Sequence, residues 1–442
     1  MALTSSLPGD RPLAPPPAYA PPDRAGRALA GQASRLGYGS VLAFYVLFFF
    51  RPEDFVPGLA MVPMEKIVGG LAALALLGAV LGGRFRHTRE VTLMASFLAY
   101  LCLCIPTSIW PGGSFSLVVD GFSKYILVVL ATICMVDSLA RCRRIMLIQT
   151  LALLLMAALA LGQARELNRM YGVGKMFSDP NDFALNLCMI LPFCAAFCLS
   201  ARSRLRRMFW AGAACLAVVA IISTYSRGGF LALLATLVAL AWRFRGAVRS
   251  AVVTALAAGA IAAVALSGSP YLHRLDTILH PNTDKTGSAQ AREGLFERSL
   301  AVTLEHPLLG VGPGDFQIIS GDWHVTHDTF TQLSAEAGIP SLILFLAIMW
   351  CGFRNSRSAR EQWAPELVWF TDAVECSLTG YLVGAVFLST AYWLAPYLVI
   401  AYAAILSRLA RSAAASGGTA ENAGGRGPRF ELRPTLAETL PC

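Results

Sequence analysis

Apolar stretches of roughly 17–25 residues, the length a helix needs to cross a bilayer, recur along most of this 442-residue chain, and short arginine clusters flank every second one. Eighteen arginines sit in six such clusters: Arg84 to Arg89, Arg141 to Arg144, Arg202 to Arg207, Arg243 to Arg249, Arg354 to Arg360 and Arg408 to Arg411. That rhythm is the signature of cytoplasmic loops under the positive-inside rule. Charged residues make up only 14% of the chain, against about a quarter in a soluble domain. The net charge of +9 is therefore an expression of topology, not a nucleic-acid footprint.

The spacing predicts an all-α polytopic membrane protein of about 12 transmembrane helices, near residues 37–50, 66–83, 91–107, 122–138, 145–162, 183–200, 208–224, 229–242, 249–267, 333–353, 376–391 and 393–408. With the amino terminus inside, all six arginine clusters face the cytoplasm. The four lysines (Lys66, Lys124, Lys175, Lys285) then face outward or lie at the outer interface. Both termini are expected to be cytoplasmic. Residues 1–35, rich in Pro and Ala, and residues 412–442, rich in Gly, Ala and Ser, read as disordered arms, and no cleavable signal peptide is expected. The membrane domain is 36–411. Its longest loop, 268–331, faces outward, is partly helical, and carries four basic against eight acidic residues. All eleven cysteines lie outside that loop, so no disulfide framework is expected in it, and no C-x-x-C zinc pattern occurs. No inverted repeat of the transporter kind is evident.

Ionisable residues avoid the middles of the spans and gather at the outer face. In "MFSDPNDFALNLCMILP", Asp179 is placed as an N-cap with Pro180 at the first helical position. Asp182 follows in the first turn, where the helix dipole favours it. Both carboxylates can simply start a span; alternatively they line a polar cavity or bind a hard cation. In "STYSRGGFLALL", Arg227 precedes two glycines that would permit a tight turn. It either snorkels to head groups or offers its donor fork to a phosphate. In the long loop, residues 289–305 read as an amphipathic helix with Leu295, Phe296, Ser299, Leu300 and Leu304 at helical spacing. Arg292 near its start opposes the dipole, which points to another partner, one that an Asp or Glu of the same loop could supply. "HPLLGVGPGDF" then breaks the helix.

"HVTHDTFTQLSAEAGIPSLILFL" places His324 and His327 just ahead of an apolar span. "TFTQ" fits a capping box, with Thr329 as N-cap and Gln332 reaching back, and Gly338 and Pro340 should bend the helix that follows. The positive helix end disfavours imidazolium at His327 and favours a bound phosphate. His327 is then a structural residue, a metal ligand with His324, or a base at the membrane surface.

Together "DPNDFAL", "YSRGGF", "EHPLLGVGPGDF" and "HDTFTQLSAEAGIPSLILFL" resemble the O-antigen ligase and polymerase superfamily, bacterial inner-membrane glycosyltransferases of the GT-C type. The resemblance is specific between about Phe177 and Leu346. It implies transfer of a glycan from undecaprenyl pyrophosphate, at the periplasmic membrane face, to a lipid A-core or another glycan acceptor. It also implies chemistry without a metal or other cofactor, with membrane lipids as surroundings and no nucleic acid partner. Arg227 and Arg292 correspond to the family's pyrophosphate-binding arginines and His327 to its loop histidine. Asp328 stands where the family usually has Asn. Ligase-like transfer is the expected activity; a polymerase joining lipid-linked repeats is the alternative, and a small-anion, bicarbonate-like transporter or a non-catalytic assembly scaffold are the readings from other classes.

Overall fold

The computed structural model describes residues 24–54, 57–162, 170–172, 178–254, 288–321, 323–362 and 365–422. Among the described residues all regular structure is helical. Eight of the helices among the described residues are long and apolar enough to cross a membrane, so the chain is a multi-pass helical membrane protein.

In chain order the principal helices are α1 (Arg24–Phe50), α2 (Met64–Leu81), α3 (Arg89–Cys104), α4 (Pro111–Met135), α5 (Leu139–Leu161), α6 (Pro180–Ser200), α7 (Arg204–Ser223), α8 (Arg227–Arg243), α9 (Ser288–Glu305), α10 (Thr329–Gln362), α11 (Pro365–Ala385) and α12 (Leu394–Asn422). Side-chain caps start several of them: Thr88 for α3, Ser138 for α5, Asp179 for α6, Ser203 for α7 and Ser226 for α8. Each cap oxygen satisfies an otherwise orphaned N–H of the first turn. α4 contains a π-helical stretch, Ser116–Phe122.

α6 and α12 are the most enclosed spans, with 78% and 83% of their apolar windows buried. α6 packs on α7, α8 and α11, and α12 packs on α10, α4 and α11. Tyr381, Tyr397, Tyr402, Phe122 and Phe193 fill the interior between them. α1, α2, α4 and α5 complete one flank.

The arginine clusters meet at one end of this bundle. Arg84 and Arg141 both pair with Asp137, Arg143 donates to Ser200 and lies over Phe370, and Arg408 donates to the Ile133 carbonyl at 2.6 Å. Asp372 and Glu375 of α11 are buried there against Arg360, Arg243 and Arg357. These two carboxylates explain one boundary difference. The expected span 376–391 starts after them because an unpaired charge in the membrane is costly. Paired with arginines, they let the helix begin at Pro365, and it ends at Ala385.

Three further expectations meet the structure at their edges. α1 begins inside the segment 1–35 expected to be a disordered arm, and α12 continues into 412–442; residues 1–23 and 423–442 lie outside the described residues. The ninth expected span, 249–267, is helical over 247–254, and its remainder lies outside them too. So do residues 268–287 of the long loop, whose helical part is α9.

Candidate functional site

At the end of the bundle opposite the arginine clusters, two helix starts are bound together. Asp179 caps α6 as expected, accepting from the N–H groups of Asn181 (2.6 Å) and Asp182 (3.3 Å). Ser226 caps α8 through Gly229 N–H at 2.9 Å, and its hydroxyl lies 2.7 Å from Asn181 Oδ1, to which it donates. Arg227, the first residue of α8, is thereby fixed beside the Asp179 turn. The two glycines after it are helical rather than turn residues. A Cβ on Gly229 would stand 2.5 Å from the Ala184 Cβ, and one on Gly228 would stand 2.8 Å from the Phe387 Cβ. They are needed for close packing of α8 on α6 and on the segment that follows α11; the tight turn itself falls on Tyr225, at φ 52°.

Asp182 turns elsewhere. It lines a cavity of about 150 Å³ with Phe48, Phe49, Tyr125, Asn186 and Trp393, so the two carboxylates of "DPND" do not share one task.

The start of α10 differs from the expected capping box. Asp328, not Thr329, is the cap: its Oδ1 accepts from Thr331 N–H at 2.7 Å, and its carbonyl accepts from Gln332 N–H at 2.9 Å. Thr329 and Gln332 instead reach the 386–393 connection between α11 and α12. Thr329 Oγ1 donates to the Leu388 carbonyl (2.5 Å) and accepts from Thr390 N–H (3.0 Å), while Gln332 Oε1 accepts from Ala391 N–H (3.3 Å). Leu388, Thr390 and Ala391 of that connection are buried, and their backbone groups need partners. Those partners are the side chains the local pattern assigned to the cap.

His327 precedes this cap in a left-handed conformation, φ 55°, which is uncommon for a residue with a Cβ, though less so for His. Its N–H donates to Ser389 Oγ at 2.9 Å, and Thr326 Oγ1 lies 2.9 Å from the same oxygen. One hydroxyl residue of the α11–α12 connection, Ser389, thus holds the histidine backbone, and its neighbour Thr390 holds Thr329. Ser389 and Thr390, missed in the sequence reading, are polar residues inside what reads as the end of an apolar span. His324 is exposed, and its N–H donates to Ser320.

Behind His327, α10 breaks where expected: Gly338 has φ 76° and ψ 170°. The "HPLLGVGPGDF" loop fills the break. Val311 and Gly312 N–H donate to the carbonyls of Ala335 (3.0 Å) and Glu336 (2.8 Å), and Ile339 N–H donates to the Pro307 carbonyl (2.8 Å). The same loop is tied to the start of α4, where Asp315 Oδ2 accepts from Trp110 N–H at 2.8 Å. This brings α9 against α10, with Thr303 Oγ1 2.9 Å from Ser334 Oγ.

The buried face of α9 is Leu295, Ser299, Val302 and Thr303. The expected stripe is corrected in part: Phe296 and Leu300 are exposed, and Leu304 is 80% exposed. Thr303 bonds Ser334 of α10, and Leu295 and Val302 share a buried cluster with Ala335 of α10. Arg292 lies one turn before Leu295 and is half-buried.

Electrostatics joins these elements. Burial first, and then the Arg292 guanidinium, push the His327 imidazole down from its ordinary 6.5 to about 4, with Asp179 opposing and His324 adding slightly. His327 is thus a neutral imidazole at neutral pH, within the field of Arg292 from α9 and Asp179 from α6. Among the described residues no group of three His, Cys, Asp or Glu is arranged to hold a metal ion.

Residues 212–346 match the family model described as O-antigen ligase. The match runs from Gly212 in α7 to Leu346 in α10 and includes Arg227, Arg292 and His327; Asp179 and Asp182 lie before it. No curated protein matches the chain.

Proposed function

Residues 212–346 place the chain in the O-antigen ligase and polymerase superfamily, and from that premise we propose that it transfers a glycan from undecaprenyl pyrophosphate to an acceptor hydroxyl at the periplasmic membrane face. The observation that carries the reading is His327, a neutral imidazole held in a left-handed turn by Ser389 in the field of Arg292.

In this reading the acceptor oxygen attacks the anomeric carbon of the donor sugar. The bond from that carbon to the pyrophosphate oxygen breaks, and its electron pair leaves with the pyrophosphate. His327 takes the acceptor proton, a contribution of typically ~10²–10⁴-fold for a positioned base. Arg227 and Arg292 neutralise the leaving group, and donors preorganised toward developing charge act most strongly where water is excluded. No metal or other cofactor has a part in the scheme. Asp179 holds the α6 turn beside Arg227, and Asp182 lines the adjoining cavity, where it would contact a substrate hydroxyl. A base at about 4 is weak for the task. Donor binding, by placing negative charge on Arg292, would raise it toward the working pH.

About twelve spans with both termini inside would put this end of the bundle in the periplasm. Reporter fusions at Gly287 and Asp322 should then read as periplasmic and fusions at Ser203 and Ala359 as cytoplasmic. A cytoplasmic signal at Gly287 would overturn the reading.

The activity is tested by separating the surface polysaccharide of a deletion strain on a gel. Loss of capped lipopolysaccharide with lipid-linked polymer retained supports a ligase acting on the lipid A core. Caps of a single repeat would instead make the protein a polymerase. An unaltered pattern would refute both.

A further inference from the structure

The cavity that Asp182 lines lies against both halves of the site. Asp182 shares the first turn of α6 with Asn181, which is bonded to Ser226, the residue before Arg227. On another wall, Trp393 ends the connection whose Ser389 holds His327. The remaining wall is aromatic and preset. Phe48 of α1 stands edge-on to Phe49 and to Tyr125 of α4, with ring centroids 5.2 and 5.4 Å away. The cavity measures about 150 Å³, room for about five waters at ~30 Å³ each and the scale of one sugar ring.

Asp182 is the group in this lining that the fold leaves unused. Its main-chain N–H donates to Asp179 Oδ1, and its carbonyl accepts from Asn186 Nδ2 at 3.0 Å. Its carboxyl oxygens bond no group among the described residues. A half-buried polar oxygen without a donor carries a desolvation cost. The helix dipole offsets part of it. Otherwise an apolar side chain would line the cavity at lower cost.

The lining selects the chemistry of an occupant. A hydrocarbon chain would leave the carboxyl oxygens without donors, and a phosphate would set negative charge beside them. A neutral polyol with an apolar face suits both parts of the wall, giving hydroxyl donors to Asp182 and ring carbons to the aromatic side chains. A pyranose has both. On the premise of glycan transfer, we propose that this cavity is the subsite for one sugar of the donor glycan, the one joined to the pyrophosphate. Asp182 selects that sugar by accepting from its hydroxyls, with Trp393 against its apolar face. A pyrophosphate held at Arg227 brings this sugar, before any other, to the first turn of α6. Asp182 acts here on specificity and takes no part in moving the acceptor proton.

The test is saturation-transfer NMR on the purified full chain, with methyl glycosides of the monosaccharides in the host's surface polysaccharide as probes. At least one glycoside should bind the wild type. Asp182→Leu should weaken that binding at least about tenfold, the scale of a hydrogen bond to a charged group, and Trp393→Ala should weaken it too. Asp182→Leu removes no side-chain bond, so its thermal midpoint should stay close to that of the wild type. Asp182→Asn keeps the shape and one acceptor oxygen and should bind with intermediate affinity. Binding of no glycoside would overturn the subsite, as would equal binding by the wild type and both Asp182 variants. If deletion of the gene alters the surface polysaccharide while glycoside binding ignores Asp182, the subsite falls and glycan transfer stands. If the polysaccharide is unaltered while binding depends on Asp182, glycan transfer falls, and with it the donor's place in the cavity, and a sugar site remains.

Discussion

The hydroxyl of Ser226 donates to Asn181 Oδ1 over 2.7 Å, and this bond ties the first turn of α8 to the first turn of α6. Ser226 also caps α8, so one side chain both starts the helix that carries Arg227 and fixes that start beside Asp179. Ser226→Ala removes cap and tie together and should cost about 1 kcal/mol of stability as well as slowing glycan transfer. Asn181→Ala removes the tie and leaves the cap. It should slow transfer with a smaller loss of stability, read as thermal midpoint against initial rate for the purified proteins. Transfer at the wild-type rate by Asn181→Ala would mean that the tie does not position Arg227.

Arg227→Lys keeps the charge and loses the two-pronged donor fork. A residue that only anchors its helix to head groups works equally well as lysine. One that grips a pyrophosphate does not. Transfer should therefore fall at least about tenfold, or roughly 1.4 kcal/mol of transition-state stabilisation, at unchanged expression. A lysine variant as active as the wild type would leave the anchoring role standing.

The acidity of His327 makes a signed pH prediction. The base acts only when neutral, and burial and Arg292 hold it neutral down to about 4. Plotted against pH, kcat/KM, which reports the free enzyme, should stay flat well below the ordinary imidazole value and fall only on approaching 4. Arg292→Gln removes a positive neighbour, raises the His327 value, and should move the acid limb of kcat/KM to higher pH. The limb of kcat should already lie higher in the wild type, because the bound donor offsets Arg292. An acid limb that ignores the Arg292 substitution would separate the two residues functionally.

Much of this site could be read from local pattern, and the exceptions share a cause. Asp179 with Pro180 states a helix start in adjacent residues, and the start is there. Gly338 with Pro340 states a break, and the backbone breaks at Gly338. Thr329 and Gln332 state a capping box just as clearly, yet they bond to residues about 60 positions away. Asp328, itself a good cap, frees them to do so. Gly228 and Gly229 look like turn residues, but what they avoid is Phe387 and Ala184. In each case a distant partner, absent from any local window, decides between two locally reasonable roles. α11 was misplaced for the same reason, because its carboxylates look exposed until Arg243 and Arg360 are brought to them.

The break in α10 should be intolerant of side chains for a reason that can be isolated. A Cβ on Gly338 would lie 1.9 Å from the Leu308 carbonyl oxygen, whereas one on Gly321, at φ 93°, would meet nothing within 4 Å. Gly321→Ala therefore measures backbone strain alone, of order 1–3 kcal/mol. Gly338→Ala adds steric overlap with the Pro307–Leu308 backbone, which is bonded to Ile339, and should yield little folded protein by size-exclusion of a fluorescent fusion. Equal yields from the two variants would show that the loop can move away from α10.

Asp328 and His327 are neighbours with separable tasks, which allows the base to be tested without disturbing the helix. Asp328 caps α10 through one oxygen that accepts from Thr331 N–H. Asn offers the same acceptor and caps about as well, so the Asn usual in the resembling family is accommodated by this geometry. Asp328→Asn should fold normally and retain transfer, while Asp328→Ala should cost about 1 kcal/mol of stability. His327→Ala removes the imidazole and leaves the cap, and the backbone bond to Ser389 survives because it uses the main-chain N–H. That variant should fold and insert yet lose nearly all transfer. His324→Ala should be milder, since its side chain is exposed and contributes only slightly to the His327 field. EDTA should leave the wild type active. These measurements belong on one membrane preparation with a lipid-pyrophosphate-linked glycan as donor. Equal loss from both histidine variants together with EDTA sensitivity would replace the base by a metal site. Full activity of His327→Ala would remove it from the chemistry and leave the two arginines to carry the reaction.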